Sequence, residues 1–229
     1  MISRPPRARP RAARFAGPLL ALALIAPLSC IRGTIPAREL YRIGAAPGDS
    51  LAPASATEAA RPLAGTLGIA PYVTAGIYAE PSIAYRVGDA EYGTYPSREW
   101  ALPLSQMLGV LTEEIVGRHP LATEPAIYAP PSLRSQTYLW RGRVRRFEEV
   151  DRGKVVSAAV WVDAAILRTS DDSVLWSGSA RRERVVPGGT MKDIVGTLSR
   201  LATEAVEELV LDAGRSLLRR SAATAGGPE

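Results

Sequence analysis

The stretch Tyr138–Val186, YLWRGRVRRFEEVDRGKVVSAAVWVDAAILRTSDDSVLWSGSARRERVV, holds three strand-length segments separated by two short polar turns. In the first, Tyr138 to Glu148, the residues Tyr138, Trp140 and Val144 alternate with Arg141, Arg143 and Arg145, the period of a strand with one wet face. The second, Val155 to Leu167, is apolar on both sides. Val156, Val160, Val162 and Ile166 lie on one side and Val155, Trp161 and Leu167 on the other, which suits a central strand. The third, Val174 to Val186, opens with Val174, Leu175 and Trp176 and closes on Arg181, Arg182, Glu183 and Arg184, so it runs out of the core. The connections Val150-Asp151-Arg152-Gly153 and Thr169 to Ser173 are short and polar, which makes the three an antiparallel meander.

Beyond the meander the period changes. Pro187-Gly188-Gly189 breaks the last strand, and Thr190 followed by Asp193 resembles a capping box with Asp in place of Glu. Apolar residues then recur at Met191, Ile194, Val195, Leu198, Leu201, Ala202, Ala205, Leu209 and Val210, and Gly214 offers a left-handed end. At about 1.5 Å per residue, a helix from Thr190 to Ala213 reaches roughly 36 Å, enough to cross a sheet. Residues 214–229 are expected as a disordered tail.

Working back toward the N-terminus, Ala126 to Ala129 reads as a short strand stopped by Pro130-Pro131. Trp100, Leu104, Met107, Leu108, Leu111 and Ile115 form one helical stripe, with Ser97 as its N-cap. Pro103 leaves two readings, a helix beginning near Leu102 or one kinked at the proline. His119, the only histidine, follows this helix beside Pro120 and reads as a cap or turn residue. Thr66 to Val73 and Ser82 to Val87 read as a strand pair turning at Glu80-Pro81, with the chain extended again around Tyr92 and Tyr95. Tyr41-Arg42-Ile43 reads as a short strand inside an Ala-, Pro- and Gly-rich tether, 30–65. The expected fold is α+β: a mixed or antiparallel sheet of five or six strands, with two amphipathic helices on one face of a single domain, 66–213.

The first 29 residues have another purpose. Arg4, Arg7, Arg9, Arg11 and Arg14 precede the apolar run Phe15 to Leu28, which is too short for a membrane span and ends at Ser29-Cys30, as an export signal does. Cys30 is the only cysteine, placed where a lipoprotein signal is cut and the new N-terminus acylated. Pro27 departs from that pattern, and the competing reading is a lone buried cysteine with a cut elsewhere. No arginine pair precedes the apolar run, which favours the general secretion route. The chain has 28 Lys+Arg against 23 Asp+Glu; the leader carries the entire basic excess, leaving 23 against 23. The high pI of 9.6 is therefore no argument for nucleic acid.

No catalytic constellation emerges. One histidine and one cysteine, the latter at the membrane anchor, preclude Cys-His pairs and the usual zinc ligand sets, and no phosphate-binding loop or nucleophile elbow is present. No cofactor is implied. Glu113-Glu114 late in a helix and Glu148-Glu149-Asp151 beside a turn are expected to be solvated. Arg141, Arg143 and Arg145, with Arg146, are either a solvated sheet face or a surface for an acidic protein or lipid headgroups.

Several of these segments, in this order, form a larger pattern. Leu67-Gly68-Ile69-Ala70-Pro71-Tyr72-Val73, Ile83-Ala84-Tyr85-Arg86, Trp100-Ala101-Leu102-Pro103-Leu104, Arg145-Arg146-Phe147-Glu148 and Ala158-Ala159-Val160-Trp161 before a long terminal helix resemble the ABC-type transport auxiliary lipoproteins, the PqiC/YmbA-like family. The resemblance spans residues 41 to about 212 and implies structural roles for Trp100, Pro103, Phe147 and Trp161, with a helix starting around Pro103. It implies a non-enzymatic periplasmic lipoprotein, anchored through Cys30. Its partners would be an MCE-domain protein and an ABC permease and ATPase, moving phospholipids or other hydrophobic molecules between the inner and outer membranes. A homo-oligomer is compatible with this role. Ile31 replaces the aspartate of an inner-membrane retention signal, which points to the outer membrane. The alternative is a structural lipoprotein assisting envelope assembly.

Overall fold

The computed structural model describes residues 37–44, 61–128 and 136–225. Within them the order is β1 (Glu39–Tyr41), β2 (Leu67–Ile69), a 3-10 turn (Gly76–Tyr78), β3 (Ser82–Val87), β4 (Glu91–Trp100), α1 (Leu104–Arg118), β5 (Ile127–Tyr128), β6 (Tyr138–Asp151), β7 (Val156–Arg168), β8 (Val174–Val185) and α2 (Met191–Ala225). The strands make one mixed sheet, so the α+β class holds, but there are eight strands where five or six were expected. The stretches read as strands at 41–43, 66–73 and 126–129 meet β1, β2 and β5, which are only two or three residues long, and the chain read as merely extended around Tyr92 and Tyr95 is the ten-residue strand β4.

β6 organises the sheet. Along one edge it pairs antiparallel with β7, and β7 pairs antiparallel with β8, giving the expected meander. Along its other edge it takes β2 and β3 one after the other, both parallel. β2 and β3 therefore do not pair with each other, contrary to the sequence reading. β3 turns back into β4 instead, and β1 closes that side parallel to β4.

Both helices cover one face. Trp140, Val144, Phe147, Val160, Val162 and Ile166 form a continuous core with Leu108, Leu111 and Ile115 of α1 and Leu198, Leu201, Val206 and Leu209 of α2. Ile43 and Leu63, from the segment read as a tether, join this core. Where α1 meets the sheet, buried polar atoms satisfy one another in sequence. Trp140 Nε1 donates to Tyr72 Oη at 3.3 Å, Tyr72 Oη and Thr112 Oγ1 lie 2.9 Å apart, and Thr112 Oγ1 donates to the Leu108 carbonyl. Burial pushes the Tyr72 hydroxyl above its ordinary pKa, so it remains a protonated donor.

α1 begins later than its apolar stripe suggests. β4 continues through Ser97 to Trp100, so Ser97 is a strand residue and not the N-cap. Pro103 stands at the N-cap with φ −51° and ψ 134°. A proline excludes the residue before it from the helical region and lacks the N–H that a first turn leaves unused, so the helix begins after it, unkinked. At α2 the capping box is present: Thr190 N and Oγ1 donate to Asp193 Oδ2 at 3.1 and 2.6 Å, and Asp193 N donates to Thr190 Oγ1 at 3.3 Å. The helix does not stop at Gly214. It runs on to Ala225, because Gly214 packs against Leu121 and Leu217 is buried on the next turn.

Candidate functional site

With both helices on one face, the other face of the β6–β7–β8 meander carries no helix among the described residues. Arg141, Arg143 and Arg145 are exposed on β6, while Gly142 and Val144 between them are buried. The structure thus gathers all three predicted arginines on the open side, and shows that they are not equivalent. Arg145 Nε lies 2.5 Å from Asp163 Oδ2, and Asp163 Oδ1 accepts from Ser179 Oγ at 2.8 Å. Burial opposes ionisation of Asp163, but the hydrogen bonds from Arg145 and Ser179 outweigh it and hold the carboxyl below the ordinary aspartate range. Arg141 and Arg143 make no ion pair among the described residues. Their planar, permanently charged guanidinium groups remain available to carboxylates or phosphates.

Trp161 sits half-buried beside this stripe on β7. Its Nε1 donates to Ser179 Oγ at 2.8 Å, and the Arg181 guanidinium lies 5.6 Å from its ring centroid. Arginine and tryptophan on an uncovered face are the residue types that dominate binding energy at protein interfaces. On the opposite side of β8, Arg182 and Arg184 turn to α2 and pair with Glu208 and Glu204, closing the rim of the core.

At the end of β6 the register shifts between Val144 and Arg146, a bulge that changes which side each residue faces. Phe147 consequently enters the helix side, and Glu148 is buried on the other. Glu148 and Glu149, expected to be solvated, are 0% and 6% exposed. Arg86 Nε donates to Glu148 Oε1 at 2.9 Å and Tyr78 Oη to Oε2 at 2.5 Å. Arg86 Nη1 reaches the Gly88 carbonyl and Asp89, whereas its buried Nη2 has no hydrogen-bond partner among the described residues. Glu149 accepts from Tyr95 Oη at 2.6 Å. Burial, then the hydrogen bond to the neighbouring carboxylate, pushes both tyrosine hydroxyls far above their ordinary pKa. Both tyrosines are therefore fixed donors, and the cluster ties β3, β4 and the 3-10 turn to β6. The signal for it was present: two successive arginines, Arg145 and Arg146, break the alternation one residue before Phe147.

The remaining residues singled out by sequence fall as follows. Trp100 packs edge-on against Phe147 with ring centroids 5.6 Å apart, both buried. Glu113 accepts the backbone N–H of Tyr128 at 2.9 Å. His119 caps α1 and places Nε2 3.1 Å from Glu207 of α2. Cys30 lies outside the described residues. No group of three or more His, Cys, Asp or Glu side chains that could hold a metal occurs among the described residues.

Residues 50–210 match the family model described as ABC-type transport auxiliary lipoprotein component. No curated protein matches the chain. Among solved structures, a protein from Xanthomonas campestris superposes with a TM-score of 0.63 at 22% identity, covering 80% of this chain and 98% of the other. An uncharacterised protein superposes with a TM-score of 0.57 at 12% identity, covering 77% and 98%. The PelC dodecamer from Paraburkholderia phytofirmans gives a TM-score of 0.46 at 13% identity, covering 68% and 90%. At these identities the likeness to the first two is one of fold.

Proposed function

The chain belongs to the ABC-type transport auxiliary lipoprotein family, and from that premise we propose that it serves an ABC/MCE-type system moving phospholipids or other hydrophobic molecules between the two membranes. Its role is non-catalytic. Cys30 carries the lipid anchor, and Ile31 directs the chain to the periplasmic face of the outer membrane. A single acyl chain binds a membrane only marginally, whereas the several chains of a bacterial lipoprotein hold firmly.

The observation that carries this reading is the division of labour between the two faces of the sheet. One is filled by α1 and α2, and the other presents Arg141 and Arg143 uncommitted beside Trp161 and Arg181. Such a surface suits an acidic protein partner, for which we nominate the MCE-domain protein of the same system. Self-association of the anchored domain is compatible with that arrangement. Purification from the native envelope tests the assignment: MCE and ABC subunits should co-purify. Recovery of an outer-membrane barrel protein alone would overturn it in favour of a structural lipoprotein.

A further inference from the structure

One end of the sheet groups four exposed apolar side chains on adjacent strands and turns. The β3–β4 hairpin, the β6–β7 turn and the end of β8 all finish there, because Val87 pairs with Asp151, Asp151 with Val156, and Ser157 with Val185. This end exposes large apolar side chains on neighbouring strands: Val87 is 38% exposed, Tyr92 48%, Val155 44% and Val185 59%. With strands spaced about 4.8 Å apart, the row from β3 to β8 is roughly 14 Å wide. Nearby acids and bases nearly balance, with Asp89, Glu91, Asp151 and the buried Glu148 against Arg152, Lys154 and the buried Arg86. The end is apolar without being strongly charged.

The first described strand points away from this end. β1 runs parallel to β4, with Glu39 opposite Arg98 and Tyr41 opposite Trp100, and β4 leads away from the hairpin tip at Glu91. Glu99 is level with Ser82, five residues before Val87 on β3, which puts the tips about 17 Å from the start of the fold. The opposite end, at Tyr138, is roughly 27 Å away and in the direction toward which β1 runs. Nine residue steps from Cys30 to Glu39 span at most about 30 Å. The tether therefore reaches past the tips with slack, and it barely reaches the other end.

We propose that the hairpin-tip end, with Val87, Tyr92, Val155 and Val185, seats in the headgroup layer of the membrane that holds the Cys30 lipid. The proposal rests on the lipid anchor assigned above. Valine side chains bury at the acyl boundary and tyrosine suits the interface, its ring apolar and its hydroxyl wet. This docking leaves the arginine stripe upright along the membrane normal, open to a periplasmic partner. Because the local charges nearly balance, seating depends little on salt.

The test uses the full lipidated chain carrying Val155→Cys, labelled with nitrobenzoxadiazole and reconstituted in vesicles of phosphatidylethanolamine and phosphatidylglycerol. The native cysteine is consumed by the anchor, so the label is unique. Val174→Cys, on a residue 56% exposed at the opposite end, is the reference, and Val87→Cys repeats the measurement on a second hairpin. The expected result is a blue-shifted spectrum and several-fold weaker iodide quenching at 155 and 87 on reconstitution, with 174 unchanged. Vesicle-associated protein quenched equally at all three positions overturns the orientation alone. A chain that fails to float with the vesicles overturns the anchor and the proposal with it. Protection at 155 that is lost when the vesicle-bound protein is diluted to a low protein-to-lipid ratio assigns this end to a second copy instead.

Discussion

Replacing Glu148 by leucine removes one partner of the Arg86 ion pair without opening a large cavity. The arginine side chain is 3% exposed and would keep only the solvent-exposed Asp89, 3.2 Å from Nη1, as an acidic partner. Leaving a buried charge uncompensated costs about 3–5 kcal/mol. For a domain of this size each kcal/mol shifts the melting temperature by about 2–4 °C, so Glu148→Leu should melt lower by roughly 6–20 °C. The double variant Arg86→Met/Glu148→Leu removes both charges and should recover to within about 1–2 kcal/mol of the parent. Urea unfolding of the mature chain and both variants, followed by circular dichroism, measures the difference. The reasoning is refuted if Glu148→Leu costs less than about 1 kcal/mol, or if the double variant is no more stable than the single one.

Further expectations follow from other contacts. Gly142→Ala would place a Cβ 2.3 Å from the Tyr72 ring, and should cost about 1–3 kcal/mol in the same unfolding assay. Thr190→Ala removes the capping box and should lower stability by about 1 kcal/mol, with hydrogen exchange rising first at the N-terminal turn of α2. Asp163 has a folded pKa below its ordinary 3.8, so its contribution is fully present above that value and is lost as the pH falls through the lower folded one. Asp163→Asn should accordingly flatten the acid limb of the stability–pH curve while leaving its neutral shape intact. Arg141→Glu/Arg143→Glu touches no ion pair among the described residues and should change stability by no more than about 0.5 kcal/mol, while partner capture from envelope extracts falls away.

The parts of the fold that were legible in sequence are those whose residues repeat. β6 alternates up to its bulge, β7 is a long run apolar on both sides, β8 runs from apolar to charged, and α2 keeps its apolar spacing over many turns, so pattern and length locate them. β1, β2 and β5 fall on or beside stretches read as strands, but their short bounds and parallel partners, Glu39 with Arg98 or Gly68 with Leu139, come from strands distant in the chain, and no local pattern encodes such pairing. For the same reason β2 and β3 read as partners of each other when both belong to β6. Trp100 illustrates a different failure. Its position fits the helical stripe of α1, but it is the last residue of β4, and Pro103 decides where the helix starts. In the candidate site, the arginine stripe was visible because exposure on a strand alternates. The burial of Glu148 was hidden because the bulge at Arg145 reverses that alternation, and because its partners, Arg86 and Tyr78, lie more than sixty residues away.

The central claim is that the open arginine face receives a protein of the transport system while the domain stays on its lipid anchor. A photocrosslinking amino acid at position 143, expressed in the native host and irradiated in intact cells, reads that contact directly. The expected product joins this chain to an MCE-domain protein, absent when the same probe replaces the exposed Val110 of α1. Adducts at position 143 confined to an outer-membrane barrel protein, or identical adducts from both positions, would contradict the account.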